Sequence, residues 1–274
     1  MSRTNLQKVA HETHGLIPGV AALRPDAPLD GYLCTRDRYV PLSSRYFPNL
    51  VTQVRVVNAD TYDAAINVTN ARPYRHGQKP VCVLNNANAI TAGGGWLRGA
   101  LAQEEVLCYR STLIETLKQK HYPMKTREAV YSPTVIIFRE NDDNDYRIMD
   151  LQKPSLLPVV SVISMAAIYR PAIDTTSTPP RYKNSMDREL SKEKLRVVLR
   201  VAVHNGHRSV VLGALGCGAF GHPREEAADC WVDVLQEQEF RGWFQDIVFA
   251  VLGKGSTGHQ NFSVFKQKLD GLTV

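Results

Sequence analysis

The chain has 274 residues, 43% of them hydrophobic and 22% charged, so it can bury a core that offsets chain entropy, and a disordered polymer is not expected. Lysine and arginine number 33 against 27 acidic residues, a formal charge of +6, which suits a polyanionic ligand but equally a solvated, slightly basic surface. No stretch approaches the ~20 apolar residues that span a bilayer, and the opening MSRTNLQKVAHETHG lacks the apolar core of a secretion signal.

Residues 6–16 make the first predicted helix, which ends near Gly15 and Pro18, and a proline-rich arm follows over 24–48. Residues 54–58 are short and β-branched, and Asp60-Thr61 then opens a helix through Ala65. An apolar run at 81–84 reads as a strand. Over 104–120, Val106, Leu107, Tyr109, Leu113, Ile114 and Leu117 recur at helical spacing. Strands are expected at 135–138, 159–165, 210–215 and 247–252, and helices at 190–203, 227–235 and 261–269. Strands alternating with helices predict an α/β fold with helices on both faces of a sheet. The continuous apolar strands predict a sheet buried on both sides. There is no internal repeat. One domain is expected over 51–274, with residues 1–50 as an extension packed on it.

The cysteines are five, an odd number, at 34, 82, 108, 217 and 230, without a CxxC pair. They read as reduced thiols of an intracellular protein, cytoplasmic or nuclear, rather than as a disulfide framework or zinc site. His11 with His14, and His204 with His207, lack further ligands at metal-binding spacing, so no metal is expected. Arg181, Lys183, Arg188, Lys192, Lys194 and Arg196 form a basic cluster that reads first as a solvated face.

The most informative segment runs Leu84-Asn85-Asn86-Ala87-Asn88 to Gly93-Gly94-Gly95-Trp96, a strand leading into a glycine loop. Glycines let backbone approach a ligand closely, and a loop ahead of a helix turns free N–H groups toward an anion. Alone, three glycines read as a turn. Seven residues further on come Gln103-Glu104-Glu105 at a helix start. Successive helical residues point about 100° apart, so the two carboxylates can reach different atoms of one sugar. Mutual repulsion and burial would raise a carboxyl pKa, as a general acid requires. The plainer reading is that acidic residues favour a helix N-terminus.

A second segment, from Gly213 through Gly216, Cys217, Gly218, Ala219 and Phe220 to Gly221-His222-Pro223, follows a strand and precedes a helix. Such a turn offers several N–H donors in a small concavity, which suits a diphosphate. No acidic ribose partner follows at dinucleotide-fold spacing, so an NAD site is rejected. Cys217 has no partnered base and reads as a packed thiol rather than a nucleophile.

The triple glycine, seven residues and then QEE together resemble the signature of poly(ADP-ribose) glycohydrolases of the microbial type. The segments at 10–13, 60–65 and 131–139 resemble the family in the same order. The resemblance implies a three-layer α/β/α macrodomain with a mixed central sheet and an N-terminal helical extension. It implies Glu105 as the catalytic acid/base and Glu104 as the holder of ribose hydroxyls, with Gln103 shaping the site. Asn88 and Gly93–Gly95 would line the distal ribose and diphosphate. Residues 216–219 would form the diphosphate loop, and Phe220 would pack on the distal ribose. Asn86 stands where relatives often carry Phe, Ala92 where they often carry Pro, and His222 where they often carry Asn. No cofactor is implied. The expected ligands are poly(ADP-ribose), ADP-ribose and ADP-ribosylated proteins, with no membrane partner, and a monomer is expected. Two alternatives stand beside this reading: a macrodomain that binds ADP-ribose without cleaving it, and a hydrolase of single protein-linked ADP-ribose.

Overall fold

A computed structural model describes residues 1–72 and 78–274. Its strands are β1 (Tyr32–Cys34), β2 (Arg55–Val57), β3 (Cys82–Asn86), β4 (Ala129–Ile136), β5 (Val159–Met165), β6 (Ile173–Asp174), β7 (Arg181–Tyr182), β8 (Ser209–Leu212) and β9 (Asp246–Ala250). Its helices are α1 (Arg3–Leu23), α2 (Thr61–Ala71), α3 (Gln103–Arg110), α4 (Leu113–Thr116), α5 (Ser185–His204), α6 (Arg224–Leu235) and α7 (Gly255–Leu269).

Seven strands form one sheet in the order β1-β4-β5-β3-β8-β9-β2, while β6 and β7 make a separate hairpin. Within the sheet β4 alone runs against its neighbours. Side chains alternate between two cores, as strand geometry dictates. Cys82, Leu84, Val210, Leu212, Ile247 and Phe249 enter the core with α5, α6 and α7. Val83, Val211 and Val248 enter the core with α1, α2 and α3. The three-layer fold with a mixed sheet is the one expected, and both faces of the sheet are covered.

Residues 1–50 supply α1 and also β1, the edge strand that pairs with β4. Two predicted elements differ in extent for a physical reason. The first helix does not stop near Pro18 but runs to Leu23, because Leu6, Val9, Ala10, Thr13, Ile17 and Val20 keep one face buried through the proline. The predicted helix over 104–120 is two short ones. Ser111 is extended (φ −150°, ψ 179°) and bridges Ile137, so α3 stops at Arg110 and α4 restarts at Leu113.

Candidate active site

The parallel strands β3 and β8 lie side by side, so the turns leaving them emerge at the same end of the sheet. In parallel α/β sheets this carboxyl end is where ligand clefts form. The two turns meet there: a Cβ on Gly213 would lie 3.6 Å from Asn86 Nδ2.

The glycine loop is folded over the glutamate pair. Gly94 has φ +58°, and a Cβ on it would lie 2.5 Å from Glu105 Oε1 and 3.2 Å from Glu104 Oε2. The backbone N–H of Gly95 donates to Glu105 Oε1 at 2.9 Å, and that of Ala102 to Oε2 at 2.9 Å. Glu105 therefore also serves the plainer role, reaching back from the third position of α3 to its N-cap; the Ala102 methyl cannot reciprocate. The turn between loop and helix is short 3₁₀ structure over Trp96–Arg98. Tyr109 pins it, its hydroxyl donating to the Ala100 carbonyl at 2.6 Å and lying 3.0 Å from that of Trp96. From outside, α1 braces the same turn through Arg3 Nε to the Arg98 carbonyl (2.8 Å) and Thr13 Oγ1 to the Tyr109 carbonyl (2.9 Å).

Glu104 faces inward, 3% exposed against 8% for Glu105. The Asn88 N–H donates to its Oε2 at 2.7 Å, and Asn85 Nδ2 lies 3.4 Å from Oε1. Burial pushes its carboxyl up to about 8, with the neighbouring Glu105 charge adding to the rise and the N–H donors opposing it. The raised carboxyl expected from sequence is thus Glu104, the inner member of the pair. Gln103 joins α3 to the end of β3: its Oε1 accepts the Asn86 N–H (2.8 Å), and its Nε2 donates to the Leu84 carbonyl (2.7 Å) and to Thr61 Oγ1 (3.1 Å). The Asn88 side chain caps its own turn, accepting from the Ile90 and Thr91 N–H groups.

In the second turn Gly216 has φ +85°, and a Cβ there would meet the His222 ring at 2.6 Å. The His222 N–H closes the turn onto the Gly216 carbonyl at 3.0 Å. Among the described residues, the N–H groups of Gly218, Ala219 and Phe220 donate to no protein acceptor, which leaves them for an anion. Cys217 is buried and burial pushes its thiol up to about 12, so it is a packed residue and not a nucleophile. His222 is buried too. Its Nε2 donates to the Ile168 carbonyl at 2.7 Å, so its Nδ1 accepts from the Tyr182 hydroxyl at 2.7 Å. Burial lowers its pKa, favouring this neutral form.

Tyr169 is the residue that sequence reasoning missed. It is 67% exposed, follows β5, and sets its ring edge-on to Phe220 with centroids 5.3 Å apart. Its signal was faint: one aromatic residue after an apolar strand. The His222–Ile168 bond ties its segment to the turn at 216–222. The basic cluster of α5 stays outside the site, with Arg188, Lys192 and Arg196 paired to Asp233, Glu189 and Glu237. Among the described residues no group of three or more His, Cys, Asp or Glu could hold a metal ion.

Residues 35–140, the span that includes the glycine loop and the glutamate pair, match the family model described as microbial-type poly(ADP-ribose) glycohydrolase, catalytic domain. By structure the chain is similar to the poly(ADP-ribose) glycohydrolase of Thermomonospora curvata, at TM-score 0.80 and 25% identity over 96% of this chain and 98% of that one. The same enzyme bound to the inhibitor ADP-HPD matches at TM-score 0.75, with the same identity and coverage. Poly(ADP-ribose) glycohydrolase from Deinococcus radiodurans in complex with ADP-ribose matches at TM-score 0.70 and 27% identity, over 92% of this chain and 97% of that one. Comparison with the curated proteins by sequence gave no match.

Proposed function

We infer that this chain, which carries the microbial-type poly(ADP-ribose) glycohydrolase catalytic domain, is a glycosidase that hydrolyses the ribose–ribose O-glycosidic bonds of poly(ADP-ribose) and releases ADP-ribose. The observation that carries the reading is the Gly94 backbone lying against both carboxylates, with a turn of unused N–H donors leaving the adjacent strand. The loop at 216–220 and the glycine loop hold the diphosphate and distal ribose, with Phe220 against that ribose.

Glu105, protonated, passes its proton to the departing ribose 2′-oxygen as the glycosidic bond breaks and positive charge develops on the anomeric carbon. The resulting carboxylate takes a proton from water, whose oxygen bonds to that carbon, and Glu105 is again protonated. One residue acts first as acid and then as base. Glu104, fixed by the Asn88 N–H, is placed to hold ribose hydroxyls.

Digestion of labelled polymer tests the reading. Glu105→Gln is expected to lose ~10²–10⁴-fold in turnover while keeping its affinity for ADP-ribose; turnover equal to that of the unaltered protein would refute the role. A protein that only reads ADP-ribose would bind polymer and release nothing. A hydrolase of single units would clear singly modified protein, where the favoured reading leaves the last unit attached. We further propose that it works as a monomer inside the cell, on polymer carried by ADP-ribosylated proteins. Both catalytic turns come from one chain, and all five cysteines are free, which supports these two readings.

A further inference from the structure

A second concave feature lies at the β1 edge of the sheet. An open groove of about 530 Å³ is lined by Asp30, Tyr32, Arg38, Lys118, Lys120 and His121, among others. One wall is β1 with its flanks, and the other is the turn after α4. The walls are held together where His121 Nε2 meets the Gly31 carbonyl at 3.2 Å.

The groove and the cleft share an end of the sheet. Because β4 runs against β5, its first residue Ala129 lies opposite Met165 at the end of β5, and Cys34 of β1 pairs with Ala129 in turn. Arg38, just beyond Cys34, therefore stands on the side from which the glycine loop emerges, while the turn at 118–121 lies against Gly31 ahead of β1. The segment leaving the groove touches the segment leading into that loop, the Met124 N–H donating to the Ala89 carbonyl at 2.8 Å.

The charge of the groove is not neutralised by the protein. Among the described residues, Arg38, Lys118 and Lys120 form no ion pair, whereas Arg188, Lys192, Arg196 and Arg200 of α5 are paired. Three cations face the single carboxylate of Asp30, and Tyr32, half exposed, adds an aromatic face. Unpaired cations beside an exposed ring suit a strand of repeating diphosphates and bases.

We propose that this groove is a second binding subsite, which takes adenosine-diphosphate units of poly(ADP-ribose) outside the unit held in the cleft. The proposal rests on the glycohydrolase reading. It separates two ligands: free ADP-ribose fills the cleft alone, and long polymer reaches the groove as well.

The test is Lys118→Glu with Lys120→Glu, and separately Arg38→Glu, measured against Lys118→Arg with Lys120→Arg. The glutamate variants are expected to raise KM for long polymer roughly tenfold at low salt, with kcat unchanged, and to leave the Kd for ADP-ribose unchanged. The dependence of log KM on log salt should flatten by about 0.7 for each cation removed. The arginine variant should behave as the unaltered protein. Unchanged KM and salt slope in the glutamate variants would overturn the proposal, as would an equal loss of ADP-ribose affinity. Single-stranded RNA bound as tightly as polymer, and lost in the same variants, would assign the groove to nucleic acid instead. If the unaltered protein releases no ADP-ribose, it is the glycohydrolase reading that fails, and retention of intact polymer by the same variants still decides the groove.

Discussion

Two neighbouring glutamates with opposite surroundings define the site at the scale of single residues. Glu105 touches solvent and accepts two backbone N–H bonds, while Glu104 is sealed in and its carboxyl is raised to about 8 from an ordinary 4.5. A folded pKa above the unfolded one means that Glu104 contributes stability fully below pH 4.5, and that this contribution is lost as pH rises through 8. Glu104→Gln, which imitates the protonated carboxyl, should therefore melt higher than the unaltered protein at pH 8.5 but not at pH 4.5; thermal scans at both values check it. Gly94→Ala probes the other side of the contact. Its methyl would sit 2.5 Å from Glu105 Oε1 at a φ of +58°, which costs about 1–2 kcal/mol in backbone conformation. Displacing the carboxylate by even 1 Å is expected to lower turnover about 10²-fold, so steady-state kinetics should show a far larger loss than unfolding experiments do. The spacing of Gly93–Gly95 and Gln103–Glu105 makes this pair legible in the sequence. The division of labour was not, because it depends on which carboxylate the loop covers. Tyr169 was not legible either, since its partner Phe220 lies 51 residues away in the chain.

At the scale of elements, the central strands were easier to read than helix starts, although the strand expected at 135–138 is the end of β4, which begins at Ala129, and β1 was not expected. The continuous apolar run at 159–165 is β5 to the residue, whereas α5 begins at Ser185 and α7 at Gly255, several residues ahead of their apolar periodicity. A helix turn that stands clear of the core carries no apolar pattern to detect. The break after α3 was hidden for the opposite reason: Leu113, Ile114 and Leu117 keep helical spacing, while Ser111 and Thr112 leave it to bond the β4 extension. The residue before that break holds α3 to α2. Arg110 is fully buried and pairs with Asp60, the N-cap of α2, and with Asp63 at 2.7 Å, while its guanidinium lies over the Tyr62 ring. Arg110→Leu would leave two carboxylates facing an uncharged core, and breaking a buried pair in this way costs ~3–5 kcal/mol. Denaturant titration should show a midpoint lowered accordingly.

Across the whole molecule, two buried histidines repeat one arrangement in different loops. His222 bonds the Ile168 carbonyl and Tyr182; His207 lies with Nδ1 2.9 Å from the Pro80 carbonyl and Nε2 2.8 Å from the Tyr131 hydroxyl. Burial lowers His207 to about 4 from 6.5. A depressed folded pKa contributes stability that is present above pH 6.5 and is lost as pH falls through 4. Acid titration of stability should therefore slope downward between those values, and His207→Gln, which keeps a donor and an acceptor, should flatten that slope. The fold also sets an order of events during synthesis. Among the described residues edge strand β2 pairs in the sheet with β9 alone, Thr52 exchanges backbone bonds with Val274, and the Val54 N–H reaches the Leu272 carbonyl. A ribosome delivers residues 52–57 first and their partners about 190 to 220 residues later. Until those partners emerge the nascent chain must carry an open sheet margin, so a chaperone would find its target in this protein while it is still being made.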